Sequence, residues 1–216
     1  STVNGTTYLE LDDNERNLMK FCKENFKHTI VLLNTSSAME IGFLDSEEYN
    51  VEACLWIGHP GDAGLVGVGK LITGAVNPSG RLVDTWAYDV STNPTFYNMD
   101  NNRYANGQDA DNNTFYQYEE GIYVGYRFFE TADAEGYFDS PAFTGHAFKN
   151  GTAAGYEQVV QFPFGFGLSY TTFEQKIIDS DVKLDAHEQN AVTVRVTNTG
   201  SVGGKEVVQL YMDAPY

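Results

Sequence analysis

Two apolar runs, Thr29-Ile30-Val31-Leu32-Leu33 and Val51-Glu52-Ala53-Cys54-Leu55-Trp56-Ile57, restrict this chain's fold more than any other feature. A nearly continuous β-branched and leucine run is the pattern of a strand covered on both faces, as in parallel sheets flanked by helices. The first run follows a helical pattern. Asp12 or Asp13 is placed to cap it, Glu15 lies in its first turn where the helix dipole favours an acid, and Leu18, Met19, Cys22 and Phe26 share a face. Residues 12–34 therefore read as a helix-then-strand unit of an α/β domain. After the second run, Gly58, Pro60 and Gly61 break the strand, and Ala63 to Thr73 reads as a helix. Gly64, Gly67 and Gly69 inside that helix suggest close backbone packing against the sheet. Asn77-Pro78-Ser79-Gly80 is a turn by composition, and Arg81 to Ala87 is expected to re-enter the sheet.

The rest of the chain is less regular. Residues 36–44 read as a short helix or turn, and 45–48 as a solvated loop. Residues 89–115 are a long polar insertion, long enough to suggest either surface decoration or a loop that lines a site. Phe115 to Glu130 looks β-like, with Ile122, Val124, Tyr126 and Phe128 alternating with their neighbours. Residues 131–157 read as loop. The stretch from Phe162 to Phe173 is dense in aromatic rings, with Gly165 and Gly167 between them, and reads as an aromatic clasp packed between two bodies. Beyond it, Ala191 to Val196 alternates, Asn198-Thr199-Gly200 turns and Glu206 to Tyr211 makes a second strand. These open a β-sandwich of the immunoglobulin or fibronectin kind, of which only part fits before residue 216.

Charge and composition remove several function classes. A formal charge of −17 and no cluster of Lys or Arg exclude a nucleic-acid binder. No run approaches the roughly 18 apolar residues of a membrane span, so the chain is expected to be soluble, with cytoplasmic and exported locations both open. The two cysteines, Cys22 and Cys54, are expected to be buried free thiols. The four histidines, His28, His59, His146 and His187, share no metal-ligand spacing. Gly64 to Lys70 has the outline of a phosphate-binding loop, but Leu71 stands where Ser or Thr would hold magnesium, and the segment reads as helix. No cofactor site is indicated.

Ser36 and Ser37 follow a core strand with no base to activate them. Asn4, Asn34, Asn112 and Asn150 match the glycan acceptor pattern, although Asn34 lies close to an expected buried strand. Glu119-Glu120 is the acidic pair embedded in aromatic sequence. Read as strand neighbours, the two face opposite ways and cannot serve one site.

Several blocks, in order, resemble glycoside hydrolase family 3. They are Gly61-x-x-Gly64 ahead of a helix, Gly74 to Leu82 with Asn77-Pro78-Ser79-Gly80-Arg81, Tyr118 to Arg127, the clasp from Phe162 to Phe173, and Val194 to Tyr211. The resemblance implies an α/β fold, a three-layer α/β sandwich with a mostly parallel sheet over residues 1–172. It places the start of a fibronectin type III-like domain at 173–216. It also implies a retaining β-glycosidase, commonly a β-glucosidase, that uses no metal for the chemistry. The substrate would be a β-linked oligosaccharide or aryl glycoside, and a (β/α)8 barrel would lie N-terminal in the same protein.

The family's nucleophilic Asp lies on that barrel. Its acid/base Glu lies in a Gly-Glu-Gly-like loop, which residues 1–11 do not contain although they hold Glu10. No catalytic residue is therefore assigned within this chain, and both are expected upstream of it. The 89–115 insertion is longer than the family pattern and is a candidate to reach the barrel's site. The clasp would fasten the two modules, with Phe164, Phe166, Leu168 and Tyr170 in the seam. A carbohydrate-binding module or a structural or adhesion module without catalysis stays open, as does pairing of two copies at the open sandwich edge.

Overall fold

The computed structural model describes residues 2–3, 6–98, 118–141, 143, 155–182 and 190–212. It divides into two compact units. Unit 1 comprises Ser1–Pro60 and Leu82–Phe166, and unit 2 comprises Gly61–Arg81 and Gly167–Tyr216.

Unit 1 opens with a short antiparallel pair, β1 (Thr2–Val3) and β2 (Thr6–Thr7), and then α1 (Asp13–Asn25). Asp12 caps α1 as its sequence anticipates. Its Oδ1 accepts from the Glu15 backbone N–H at 2.8 Å, and Glu15 Oε2 accepts from the Asp12 N–H at 2.9 Å, so two otherwise orphaned donors are satisfied reciprocally. The two apolar runs form β3 (Ile30–Leu33) and β4 (Ala53–Trp56), paired in parallel with Ile30 opposite Ala53 and Leu33 opposite Trp56. A 3-10 turn, Gly42–Asp45, lies between them.

Unit 1 by itself covers β3 and α1 only in part. Within it, Ile30 and Leu32 are exposed while Leu33 is buried, so unit 1 covers β3 on one face. On α1 only Met19 is buried, and Leu18 is 60% exposed.

The segment from Arg81 to Ala87 forms less strand than expected. Only β5 (Trp86–Ala87) is extended and paired, and it joins β6 (Val160–Phe162) antiparallel in its own sheet. Residues 126–130 overturn the β-like expectation outright, since Tyr126–Ala134 is a helix, α3. Tyr126, Phe128 and Phe129 fit either period. The deciding contacts are those of Phe129 and Ala132, three residues apart and both buried. Tyr118 to Ile122 is a turn rather than strand. Further 3-10 turns lie at Val90–Thr92, Pro94–Asn98 and Tyr137–Asp139, and α4 (Tyr156–Val159) runs directly into β6.

Two apolar clusters hold unit 1. Phe129 (0% exposed) and Phe138 (1%) centre the first, with Ala87, Val159 and Val160 around them and the Phe143 ring 5.2 Å from that of Phe138. The second joins Leu33, Ile41 and Trp86, with Trp56 edge-on to Trp86 at 5.4 Å.

Unit 2 combines α2 (Gly61–Ile72) with an antiparallel ladder, β7 (Phe173–Asp181) and β8 (Ala191–Asn198). The ladder slips by one residue between Ile177 and Asp179. Residues 206–211, expected as a strand, carry no strand assignment. A side-chain bond, Gln175 Nε2 to the Val207 carbonyl at 3.2 Å, ties them to the ladder, and it does not make a backbone ladder.

The clasp splits at the unit boundary. In unit 1, Phe164 stacks on Tyr126 and Phe166 on Phe162, each at 4.7 Å. Gly165 makes the bend at φ 83°, a conformation open to glycine, and its N–H reaches the Leu82 carbonyl at 2.8 Å. In unit 2, Leu168 is 76% exposed. Tyr170 hydrogen-bonds through its hydroxyl to the Leu71 carbonyl at 2.8 Å.

Candidate functional site

Parallel strands gather their C-terminal loops at one edge, and ligand sites of open α/β sheets lie there. In unit 1 that edge follows Leu33 and Trp56. It presents Asn34, Thr35, Ser36 and Ser37 after β3, and Gly58 and His59 after β4. The Trp56 indole N–H donates to the Thr35 carbonyl at 2.7 Å and ties the first loop to β4. The Thr35 hydroxyl donates to the Ser37 carbonyl at 2.9 Å, closing a local turn.

A cavity of about 780 Å³ opens beside this edge. Val31, Leu33, Met19, Met39 and Phe43 form its apolar floor. Tyr8, Glu10, Asp12, Asp13 and Asn34 supply polar groups at its walls. Carboxylates and an amide accept and donate hydrogen bonds to hydroxyl groups, an aromatic ring offers a stacking face, and the acidic balance repels anions. This is a binding chemistry. Among the residues that line the cavity, no nucleophile lies hydrogen-bonded to a base.

Glu40 sits behind the cavity wall. Its N–H donates to the Leu9 carbonyl at 2.8 Å, and its Oε1 accepts the Val90 N–H at 3.0 Å. Burial pushes its carboxyl up to about 7; Asp89 and Glu10 add to the rise, while the Val90 hydrogen bond and Arg16 oppose it. Arg16 is engaged by Glu10 at 3.6 Å and by the Leu11 carbonyl at 3.1 Å. The sequence offered no sign of this group, because Glu40 follows Ala38-Met39 in a stretch without periodicity.

The residues singled out from the sequence are dispersed. Cys22 and Cys54 are free thiols as expected, though half-buried rather than buried. Burial pushes the Cys54 thiol up to about 11, which leaves it protonated and unreactive at neutral pH. His28 pairs with Glu52 at 2.7 Å on the surface, and His59 is exposed. Glu119 and Glu120 lie in the turn before α3. Asn34 is exposed, not shielded by its strand. His146, His187, Asn4, Asn112, Asn150 and residues 99–115 of the insertion lie outside the described residues. Among the described residues, no group of three or more His, Cys, Asp or Glu could hold a metal ion.

The block Asn77-Pro78-Ser79-Gly80-Arg81 proves to be a structural junction within unit 2. Asn77 Oδ1 accepts from the Tyr170 N–H at 2.8 Å and the Ser169 hydroxyl at 3.0 Å, and its Nδ2 donates to the Gly203 carbonyl at 3.1 Å. Ser79 Oγ accepts the Lys205 N–H at 3.2 Å. Arg81 Nη2 donates to both carboxylate oxygens of Glu206 at 3.0 and 2.9 Å, with both side chains largely buried. Gly167 is pressed against this block, and a Cβ there would overlap the Gly80 carbonyl oxygen.

These features define an α/β chain with a polar, acid-lined cavity at its strand ends. The chain belongs to the glycosyl hydrolase family 3 C-terminal domain family, whose model matches residues 4–126. It is 34% identical over 209 residues to a beta-glucosidase of Ruminococcus albus, an alignment covering 97% of this chain and 18% of that protein. Among solved structures, a beta-glucosidase from Paenibacillus barengoltzii aligns with a TM-score of 0.67 at 28% identity, over 89% of this chain and 17% of that one. Beta-glucosidase 3B from Thermotoga neapolitana, solved in complex with glucose, aligns with a TM-score of 0.58 at 33% identity, over 88% of this chain and 22% of that one. The chain thus spans about a fifth of the length of the relatives it matches.

Proposed function

We propose that this chain is the C-terminal α/β part of a longer β-glucosidase, a retaining enzyme that removes terminal β-linked sugars from oligosaccharides or aryl glycosides. The observation that carries the reading is the 34% identity to a beta-glucosidase along 97% of this chain, of which the chain represents 18%. In this reading the nucleophilic Asp belongs to a (β/α)8 barrel elsewhere in the same protein. The acid/base Glu also lies outside these 216 residues, which serve as scaffold and wall of the sugar site. Residues 173–216 would open a fibronectin type III-like module after an α/β domain at 1–172.

The test compares two proteins on p-nitrophenyl β-glucoside, the 216-residue chain and a full-length protein that contains it. Turnover is expected from the second alone. Hydrolysis by the isolated chain, or none by the full-length protein, overturns the reading.

The cavity beside Asn34 and Tyr8 favours a second reading, sugar binding by the chain itself. Calorimetry of the 216-residue chain against cello-oligosaccharides decides it. Affinity tighter than millimolar supports a binding module, and no heat at millimolar sugar removes it.

A further inference from the structure

The cavity beside β3 is bounded by two continuous stretches of backbone. One wall is residues 8–15 in succession, and the other is residues 31–35, the end of β3 and the start of the loop after it. A strand edge therefore runs along one side of a trough, above the apolar floor of Met19, Leu33 and Phe43.

β3 uses one of its two edges. In a parallel ladder, alternate residues turn their N–H and C=O to one neighbouring strand and the residues between them to the other. The Leu33 carbonyl accepts the Ile57 N–H at 3.0 Å, and the Thr29 carbonyl accepts the Glu52 N–H at 3.1 Å, so the odd-numbered residues serve β4. Ile30, Leu32 and Asn34 turn theirs to the opposite edge, on which no strand pairs among the described residues. A row of backbone donors and acceptors set in a trough is a template for an added strand.

Charge and chemistry narrow the occupant. The charged residues that line the trough are Glu10, Asp12, Asp13 and Glu15, all acids. A second copy of this chain would bring a formal charge of −17 against them. A sugar offers hydroxyls to the edge but no apolar side chain to the floor. The matched beta-glucosidase of Ruminococcus albus is covered to 18% by this chain, so most of a protein of that length remains to supply a segment.

We infer that the trough is the seat of an extended, apolar segment of the longer polypeptide, which pairs with the free edge of β3 at Leu32 and Asn34 as a further strand. The inference rests on the reading of this chain as part of a longer β-glucosidase. In that protein the cavity is filled by the protein's own backbone, and it is open to sugar only in the isolated chain.

Amide hydrogen exchange, resolved to single residues by mass spectrometry, tests it on the 216-residue chain and on a full-length protein that contains it. The Leu32 and Asn34 amides should exchange about a hundredfold more slowly in the full-length protein, while the Ile57 amide, bonded to Leu33 in both, stays level. Equal Leu32 and Asn34 rates in the two proteins overturn the inference. So does Leu32 protection in the isolated chain that rises with protein concentration, which marks a second copy, or that appears only with added cellobiose, which marks a sugar. Turnover of p-nitrophenyl β-glucoside is measured on the same full-length preparation. Turnover with unchanged edge rates overturns the added strand alone, and edge protection without turnover overturns the enzyme reading alone. Leu32→Pro removes the edge N–H and leaves the β4 ladder intact. It should lower Asn34 protection tenfold or more in the full-length protein while the isolated chain keeps its circular dichroism spectrum. Unchanged Asn34 protection overturns the strand. Should L32P fail to fold, the comparison of the two unsubstituted proteins decides.

Discussion

The two units are held by different physics. Unit 1 has two apolar clusters centred on Phe129, Phe138 and Trp86, all at or near complete burial. Unit 2 buries little: Val68 and Thr171 are buried, while Ile177, Ile178, Val207 and Val208 stay exposed. Its long-range order comes instead from polar groups, with Asn77 holding Ser169, Tyr170 and Gly203 and Arg81 holding Glu206. Burial of apolar surface is non-directional and tolerates repacking, whereas a largely buried ion pair fixes one geometry and fails when either partner is lost.

The largest expected effect tests the apolar side of this contrast. Phe129→Ala empties a site with no exposure, and should cost roughly 3–5 kcal/mol in urea unfolding. Its loss should change little between low and high salt, because dispersion and hydration carry it. Glu206→Gln tests the polar side. Removing the charge opposite Arg81 should cost roughly 2–3 kcal/mol, read as lost exchange protection of the Lys205 and Tyr170 amides. If Phe129→Ala proved the milder of the two, the contrast would be reversed.

A third effect lies within unit 1 and concerns charge rather than packing. The folded Glu40 carboxyl, up to about 7, keeps a proton that the unfolded chain has released by about 4.5. Stability contributed by this group is therefore full below 4.5, declines as pH rises to 7 and is flat above. Because the carboxyl still meets water, the decline should be about 1 kcal/mol. The difference in urea-unfolding free energy between pH 4.5 and 7.5 should shrink by that amount in Glu40→Gln. The smallest effect concerns a surface cap: Asp12→Ala should cost about 1 kcal/mol or less, seen as fraying of the first turn of α1 in amide exchange. A cost above 2 kcal/mol would show that α1 is held mainly by its cap, its apolar face contributing little.

What the sequence disclosed follows the same division. Local chemistry was legible: Asp12 as one of two candidate caps with Glu15 in the first turn, the β-branched run of β3, and a helix read over 63–73 that spans Gly61–Ile72. Each depends on neighbours within a few residues. Tertiary context decided the failures. Tyr126 to Ala134 is helical because Phe129 and Ala132 are drawn into a core whose other members, Phe138 and Val159, lie farther along the chain. Residues 206–211 alternate as a strand should, yet no ladder forms on them in the described structure. The cavity could not be foreseen, since Tyr8, Asn34 and Phe43 come from three loops and share no spacing. Asn77 looked like turn composition. Its role as a three-way hydrogen-bond hub appears only when residues 169, 170 and 203 are folded against it.

The separation of Arg81 from Glu206 also sets a timetable. The two residues are 125 positions apart in sequence. On a ribosome adding about 5–20 residues per second, Arg81 emerges roughly 6–25 s before its partner exists. Over that interval the segment between them, Leu82–Phe166, completes unit 1, whose clusters need nothing synthesised later. Assembly should therefore be vectorial, with the apolar unit formed first and the Asn77–Arg81 block waiting, solvated, for the last residues made. A pause or truncation before Glu206 would leave a nascent chain with a formed core and an unclosed second unit.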